Sequence, residues 1–565
     1  MRSIGLWRTV GTRPSHPRRR AEQSLPDAGL FSDHTPGGRP IGFKRTCAGG
    51  APPSRTPIVR ARHIECVNPS TALRTGARLL WERSASVLPV YLLASGLYGA
   101  ARAPLVVAGV AAVWLLAASG RLDPFVDRFR AAEGGSAGPA AAGTGGSLPP
   151  ELADAVAGLL TPGVVLLVAG GAIAAAVLAV LASAVGNAAA VSGLFGLLRG
   201  DDGVRAAVAG VRRHWRAFVG VRLLLLAAVV AVLTPLIGVV AAVIGATVDA
   251  GELTGAGALG VVAAVLGGLV TLLAVLVVLV LVAFADQAVV VDDVGAVTAV
   301  KRSVRLPGRR PVAVLGYVAV AVGAVLVSVV VGSLAATAGA PRAAALVGTI
   351  LVPPVVDGFK TALYAETPLP PAPDGGPPPV GQRLRAAFGG GLRAVAGFVG
   401  DHPLANLAAF GCFAAGGVAG WLATATIGTD LPVGGNVGRV FGTIPVGTFV
   451  NLATNNWLVA ADLAYSGLAA GVPAVVSLGF NGLVIGAVGG AFDPIAFLAL
   501  VAPHGVVEVP ALVIGGAAGL HLGGVGIGAL RGRHDDGDVA AAIRRIYRVL
   551  LGLVPLFVFA AFVEA

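Results

Sequence analysis

Residues 261–284, VVAAVLGGLVTLLAVLVVLVLVAF, indicate the fold class of the whole chain. These 24 residues carry no charge, and a helix of roughly 20 apolar residues crosses the hydrocarbon core of a bilayer. Similar runs recur from about residue 86 to the end of the sequence, for example at 223–248. Transmembrane β-strands would alternate apolar and polar residues over segments of about ten residues, and these runs are apolar on every face. The sequence therefore predicts an all-α fold, a polytopic transmembrane helical bundle whose helices satisfy their own backbone hydrogen bonds.

The composition also favours a membrane-embedded chain. Of its 565 residues, 56% are hydrophobic and 12% are charged, whereas about 25% charged residues is usual in soluble domains. The net charge of +12 is uneven, because residues 1–70 hold twelve Arg or Lys against four Asp or Glu. Without these residues no basic surface of the kind that binds nucleic acid remains. We therefore expect the lipid bilayer, and no nucleic acid, as a partner.

Residues 1–70 are rich in Arg, Pro, Ser and Gly and contain no apolar run, which predicts a disordered tail. Met1 is the only methionine, and the composition changes near Val67. Our hypothesis is that translation starts at a non-Met codon near Val67, so that residues 1–66 are absent from the cellular protein. The three cysteines, Cys47, Cys66 and Cys412, show no disulfide or metal-ligand spacing. We therefore expect no cofactor and no metal site.

A proline-rich stretch at 367–380, TPLPPAPDGGPPPV, divides the apolar runs. Prolines stiffen a chain and end helices, so this stretch is interpreted as a linker between two membrane domains, 71–366 and 381–565. Together they hold about 10–12 spans. The spans are predicted at 86–119, 163–187, 217–247, 258–285, 311–336, 342–363, 403–426, 445–465, 471–492, 494–530 and 546–563.

Basic segments give the orientation, because short loops rich in Arg and Lys stay in the cytoplasm. Residues 199–222 and 286–310 are such segments, and 531–548 is basic again. The prediction is a multi-pass protein of the cell membrane with the linker inside. A double crossing by 86–119 would break this alternation, so the part up to Arg102 is expected to be re-entrant or interfacial.

Residues 284–305, FADQAVVVDDVGAVTAVKRSVR, leave a span and open an amphipathic helix after an acidic turn. Followed by Arg309, Arg310 and another span, this pattern resembles an uncharacterised family of archaeal membrane proteins over residues 70–365. That family is similar to the membrane domain attached to some glycerophosphodiester phosphodiesterases, although no phosphodiesterase active site accompanies it here. Asp292 and Asp293 are interpreted as a helix start rather than as cation ligands.

The basic segment 199–222 is interpreted as containing the anchors of an interfacial helix at anionic headgroups. The anchors are Arg212, Arg213, His214 and Trp215.

Polar residues concentrate in the second domain, in residues 449–462, FVNLATNNWLVAAD. Asn and Asp in a span are costly unless they have partners. At 100° per residue, Asn451, Asn455 and Asp462 share one helical face, which must look into the bundle, while Asn456 is turned away.

Asn481 precedes a run of glycines with a spacing of four residues, and a second run follows on the next segment. Such spacing lets helices approach closely, so it indicates packing rather than chemistry. The glycines are Gly482, Gly486, Gly490, Gly515, Gly519 and Gly523.

His504 and Glu508 share a helical face at i and i+4, beside Pro503 and Pro510. The run 494–530 has 37 residues, about 55 Å of helix against a core of about 30 Å, which predicts a broken or re-entrant segment at this pair. The pair fits a proton relay, half a metal site or a catalytic acid and base. The alternative is a pair hydrogen-bonded within the bundle by Asn451, Asn455 or Asn481.

The order NLATNNW, FNGLVIG, PHGVVEVPALVIGGAAGLHLG, a basic loop and a final span resembles the stage II sporulation protein M family over residues 381–565. The resemblance implies a membrane component that works with peptidoglycan-degrading partners, although homologues also occur in organisms without sporulation or peptidoglycan.

We therefore expect a non-enzymatic scaffold that positions membrane or envelope protein partners. The alternatives are a transporter or channel lined by Asn451, Asn455, Asp462, His504 and Glu508, and an intramembrane hydrolase that uses the last two residues.

Overall fold

The computed structural model describes residues 67–134, 150–250, 255–371, 377–425 and 445–565. The predicted tail at 1–66 and residues 372–376 of the predicted linker lie outside the described residues. Within the described ranges the regular structure is entirely helical, so the predicted all-α fold is confirmed. The described residues belong to one compact unit, in which helices from both predicted membrane domains pack against each other.

The helices are numbered in chain order. They are α1 (Pro69–Glu82), α2 (Ser84–Ala100), α3 (Ala103–Ala118), α4 (Leu122–Gly134), α5 (Pro150–Leu159), α6 (Pro162–Arg199), α7 (Gly203–Ala250), α8 (Gly255–Val282), α9 (Ala285–Val291), α10 (Ala296–Val304), α11 (Leu306–Arg309), α12 (Pro311–Thr337), α13 (Pro341–Leu346), a π-helix (Val347–Leu351), α14 (Val352–Ala365), α15 (Val380–Asp401), α16 (Pro403–Ala425), α17 (Val446–Ser466), α18 (Val472–Ala491), α19 (Pro494–Leu530) and α20 (Asp536–Glu564).

Local sequence signals set several helix ends. The Asn68 side chain accepts a hydrogen bond from the Thr71 N–H at 2.8 Å and caps α1. Asp535 and Asp538 form a capping box at the start of α20, in which each side chain satisfies a backbone N–H that the helix leaves free. Gly200 ends α6 in the left-handed conformation, with φ at 87°, which costs glycine little because it has no Cβ.

Ten helical segments of the described chain are long and apolar enough to cross a membrane. This number agrees with the prediction of about 10–12 spans. The ten segments are Ser84–Ala118, Pro162–Arg199, Gly203–Gly245, Gly260–Val291, Pro311–Thr337, Pro341–Ala365, Pro403–Ala425, Val472–Ala491, Pro494–Leu530 and Asp536–Glu564. Of the helices that were predicted as spans, only α17 is too polar to be counted among them. The chain is an integral membrane protein.

The longest helices have a lipid-facing part and a protein-facing part. In α6, Leu166 and Ile173 are 74% and 66% exposed, whereas Ala184, Ala188 and Leu198 are buried. A helix of 38 residues measures about 57 Å and exceeds a bilayer core of about 30 Å. The excess length therefore packs into a protein layer at one end of the spans, which we call the packed layer.

The structure contradicts the predicted break in 494–530 and, for the segment up to Arg102, the re-entrant alternative but not the interfacial one. The run 494–530 is a single helix, α19, with Pro503 and Pro510 inside it, and its length is accommodated because most residues from Ala511 to Gly528 are buried in the packed layer. The segment up to Arg102 is not re-entrant. Ala94 of α2 lies against Gly186 and Ala108 of α3 lies against Gly171, so α2 and α3 follow α6 in one direction and cross once.

Candidate functional site

A polar cavity of about 300 Å³ lies between α2, α6, the π-helix, α14 and α17. We call it the Asp357–Asp462 cavity, after the carboxylates that the two predicted domains contribute to it. Its polar lining consists of Tyr91, Ser95, Tyr98, Arg102, Asn187, Thr349, Asp357 and Asp462. Tyr91 is buried, whereas Tyr98 and Arg102 are exposed at the rim.

Asp462 reaches the cavity because α17 packs closely against α2. The Ser95 hydroxyl donates a hydrogen bond to Asp462 Oδ1 at 3.4 Å. Gly96 of α2 touches the backbone at Tyr465, and a Cβ on Gly99 would lie 3.4 Å from the Asp462 carboxylate. Small residues on α2 therefore leave room for the carboxylate.

An irregular helix forms another wall of the cavity. The π-helix Val347–Leu351 contributes Gly348 and Thr349, and Pro353 follows in the first turn of α14. π-Helical turns are rare and occur frequently at functional sites. Proline has no N–H to donate, so the backbone here departs from regular α-helical hydrogen bonding where it faces the cavity.

Asp357 belongs to a network of charged groups on the α14 side. The Tyr91 hydroxyl donates to Asp357 Oδ2 at 3.0 Å, and Lys360 Nζ lies 3.8 Å from Asp357 Oδ1. Nearby, Arg222 of α7 donates to Asp286 of α9. These ionisable groups lie in or beside candidate spans, where such residues are costly and commonly functional.

The sequence-based predictions did not include most of this network, although the sequence contains an indication of it. Asp357 and Lys360 lie three residues apart within the predicted span 342–363, and an ionisable pair inside a span is a functional-site hypothesis by default. The predicted polar candidates came only from the second domain. No sequence pattern brings Asp357 to Asp462, because that proximity depends on the packing of α14 and α17 around α2.

Of the polar residues predicted on α17 and α18, only Asp462 lines this cavity. Asn451 accepts a hydrogen bond from the Arg342 N–H at 2.9 Å. Asn455 Nδ2 donates to Asn456 Oδ1 at 3.1 Å, and Asn481 Nδ2 donates to the Ser477 carbonyl at 2.7 Å. These asparagines have partners within the protein.

His504 and Glu508 lie together on α19, with Glu564 of α20 beside them. Ligand atoms of the three side chains lie within 4.8 Å of one another. The side chain of Asn456, the residue predicted to be turned away from the polar face, lies beside Glu508. Nothing in the sequence linked Glu564 to this pair, because it lies beyond the last predicted span.

The predicted glycine runs lie where helices approach closely. A Cβ on Gly482 or Gly486 would collide with backbone carbonyls of α16, and Gly490 lies against Trp421 and Thr424.

On the next segment, Gly515 and Gly519 lie against α17 at Ala460 and Leu463, and Gly523 lies against the turn that precedes α18.

Ion pairs join helices in the packed layer. His214 Nε2 lies 3.0 Å from Asp293 Oδ1, and Arg213 also donates to this carboxylate. These hydrogen bonds lower the pKa of Asp293. Arg212 likewise pairs with a protein carboxylate, that of Asp536, at 2.8 Å. The predicted anchoring of this segment at headgroups stays a prediction.

The α6–α7 turn is tied to α20 in the same layer. Arg544 Nη1 donates to Asp202 Oδ2 at 2.6 Å. Burial by itself raises the pKa of Asp202, but hydrogen bonds from Arg544 and from the N–H groups of Arg205 and Val204 outweigh it, so that the pKa is lowered. Asp292 likewise pairs with Arg302.

Two imidazoles contact each other between the end of α15 and α19, with their ring planes tilted by 40°. The ring centroids of His402 and His521 are 4.2 Å apart, and Arg545 donates to the adjacent Asp401. Burial, followed by the charge of Arg545, lowers the pKa of His402. Arg545 and Asp401 form an ion pair with each other, and neither imidazole takes part in that pair.

Comparisons with known proteins give one family match for each of the two parts of the chain. Residues 409–565 match the stage II sporulation protein M family, a shorter stretch than the predicted 381–565. Residues 70–367 match a domain of unknown function, DUF7847. No curated protein and no solved structure gives a significant match. The further likeness to the membrane domain of glycerophosphodiester phosphodiesterases stays a prediction. Because the second match spans 298 of the 565 residues, more than half, the chain belongs to the DUF7847 family.

Proposed function

We propose that the chain is a transport protein of the cell membrane that binds a small polar or charged solute in the Asp357–Asp462 cavity. The observation that carries the proposal is that two carboxylates, one from each matched region, face a single cavity among the membrane helices. Carboxylates in this setting are costly to keep and commonly mark solute or ion pathways.

The wall and the rim of the cavity support the same function. Transporter sites are commonly lined by irregular helices, whose freed backbone groups help to bind the solute, and the π-helix Val347–Leu351 contributes two lining residues. Arg102 and Tyr98 are exposed at the rim. The rim thus offers a route into the cavity and a positive charge near Asp462.

Water access to the cavity tests the proposal without knowledge of the solute. In a background with Cys47, Cys66 and Cys412 replaced by Ser, Ser95→Cys places a thiol at the cavity, and Ser328→Cys places one on an exposed, lipid-facing part of α12. Transport predicts that a membrane-impermeant maleimide labels the first variant far faster than the second. Equal, slow labelling of both in proteoliposomes contradicts a water-filled pathway.

Flux measurements then identify the role of the carboxylates. Asp462→Asn is expected to abolish proton- or sodium-coupled flux in proteoliposomes while the protein elutes normally by gel filtration. Asp493→Asn is the matched control, because Asp493 is a helix cap that does not line the cavity and asparagine caps a helix equally well. Unchanged proton and sodium flux in Asp462→Asn contradicts the assigned role.

A scaffold that positions membrane or envelope protein partners is the second candidate. The observation in its favour is that Asn451, Asn455 and Asn481 are hydrogen-bonded within the bundle and that glycine runs pack its helices closely. If the chain is a scaffold, the Asp357–Asp462 cavity is only a packing defect and binds no solute. A partner that copurifies with the wild-type chain and with Asp462→Asn alike would favour it.

Both candidates are non-enzymatic. An intramembrane hydrolase needs an acid and a base that reach a substrate, and neither His504 nor Glu508 lines the Asp357–Asp462 cavity. We therefore place no catalytic step in that cavity.

A further inference from the structure

We infer that His504, Glu508 and Glu564 form a binding site for a divalent first-row transition metal ion, such as Zn²⁺, between α19 and α20. The three side chains offer one imidazole nitrogen and two carboxylate oxygens within 4.8 Å of one another. This site lies on different side chains from the Asp357–Asp462 cavity and does not depend on the proposed transport function.

The geometry requires only small movements of the side chains. In a tetrahedral zinc site with metal–ligand distances of about 2.1 Å, two donor atoms are about 3.4 Å apart, so the donors need to approach by roughly 1.4 Å. His504 and Glu508 project from the same face of a continuous helix at i and i+4, so their spacing is fixed by the backbone. Glu564 comes from the last turn of α20, and side-chain rotations bring its carboxylate to the same ion.

Electrostatics gives an independent reason for a cation. Glu508 and Glu564 are close enough to repel each other, and no Lys or Arg among the described residues forms an ion pair with either of them. Glu508 Oε2 is buried and has no hydrogen-bond partner in the described chain. Two neighbouring carboxylates without a cationic partner are stabilised by a proton or by a bound cation. A bound divalent ion would satisfy both carboxylates and the free oxygen together.

The donor set selects the class of metal. One imidazole and two carboxylates suit zinc, manganese and iron, whereas calcium and magnesium prefer oxygen donors alone. Asn456 lies beside Glu508, in the position of the outer-shell partners that orient ligands at many metal sites. Three protein ligands leave one position of a tetrahedral zinc site open for water or another ligand.

Zinc binding to the full-length chain in mild detergent tests the inference. After dialysis against a chelator and re-addition of Zn²⁺, equilibrium dialysis with elemental analysis is expected to give about one ion per chain. His504→Ala, Glu508→Gln and Glu564→Gln should each weaken binding at least about 10-fold, and Asn456→Leu by about 10- to 100-fold. Cobalt added in place of zinc should give a visible absorption band that His504→Ala removes.

The chain offers a matched control at the opposite end of α19. His534 Nδ1 lies 3.7 Å from Asp538 Oδ2, again at i and i+4, but the described residues supply no third ligand there. His534→Ala should leave zinc binding unchanged. Wild-type affinity in His504→Ala or Glu564→Gln overturns the inference. Glu564 is exposed at a helix end, so its variant remains decisive if substitution of α19 residues impairs folding.

Discussion

Two neighbouring glycines of α19 are expected to respond in opposite ways to the same substitution. A Cβ on Gly523 would lie 2.5 Å from the backbone N of Gly471 and 2.7 Å from its Cα, whereas a Cβ on Gly524 would meet nothing within 4 Å. Gly471 ends the turn between α17 and α18 with φ at 77°. Its N–H donates to the Gly467 carbonyl at 2.6 Å. This backbone therefore cannot retreat from a methyl group without a loss of its own hydrogen bond.

The expected magnitudes follow from these surroundings. Overpacking at Gly523 should cost about 1–3 kcal/mol of unfolding free energy. Gly524→Ala should stabilise the fold by about 0.4–1 kcal/mol, because alanine loses less backbone entropy on folding. The two variants should thus differ by about 1.5–4 kcal/mol, with opposite signs relative to the wild type.

Reversible unfolding in mixed micelles, titrated with a denaturing detergent and followed by far-UV circular dichroism, measures both variants under identical conditions. The comparison is internal, since both substitutions add one methyl group to adjacent positions of one helix. If Gly523→Ala proves as stable as Gly524→Ala, then α19 does not approach the turn between α17 and α18 as closely as the structure has it, and the packing interpretation of the glycine run fails.

Three further outcomes are expected. Trp457→Phe should destabilise the fold by about 1 kcal/mol, since its indole N–H donates to the Leu550 carbonyl at 2.9 Å; the same detergent titration measures the loss. A double-mutant cycle of Arg544→Ala and Asp202→Ala should give a coupling of about 0.2–1 kcal/mol, because the pair is partly exposed. The lowered pKa of His402 predicts an NMR titration midpoint below about 6.5. The unfolded chain then binds the proton more readily, so this contribution to stability is present above pH 6.5 and is lost as the pH falls towards the folded-state pKa.

Hydropathy alone predicted the fold class and most spans correctly, because lipid imposes a simple requirement on a helix. Residues such as Leu166, Ile173 and Leu269 face outward and must be apolar. The same reasoning failed for α19. Its length suggested a break, but most residues from Ala511 to Gly528 are buried in the packed layer. Length in excess of the bilayer therefore indicates a helix that continues beyond the membrane as readily as one that is interrupted.

The candidate sites were harder to predict, because each joins segments that are distant in sequence. Helical periodicity correctly placed His504 and Glu508 on one face, but it could not supply Glu564. Periodicity also set Asn456 apart from the polar face of α17, although Asn456 meets Glu508. A single polar face was assumed for a helix that has polar contacts on two sides. Only the positions of the neighbouring helices distinguish these cases.

The helix α17 explains why hydropathy overlooks the most informative part of this chain. It packs against α2, α13, α18, α19 and α20, and none of its residues from Phe449 to Ser466 is exposed. A helix that meets protein on every side does not need an apolar surface, so it tolerates Asp462 towards α2 and Asn456 towards α19 at lower cost than a lipid-facing helix would. Its polarity keeps it out of a count of apolar spans. That same polarity lets it contribute to both proposed sites. Asp462→Leu should therefore abolish flux, and Asn456→Leu should weaken zinc binding by about 10- to 100-fold, while the helix itself stays in place.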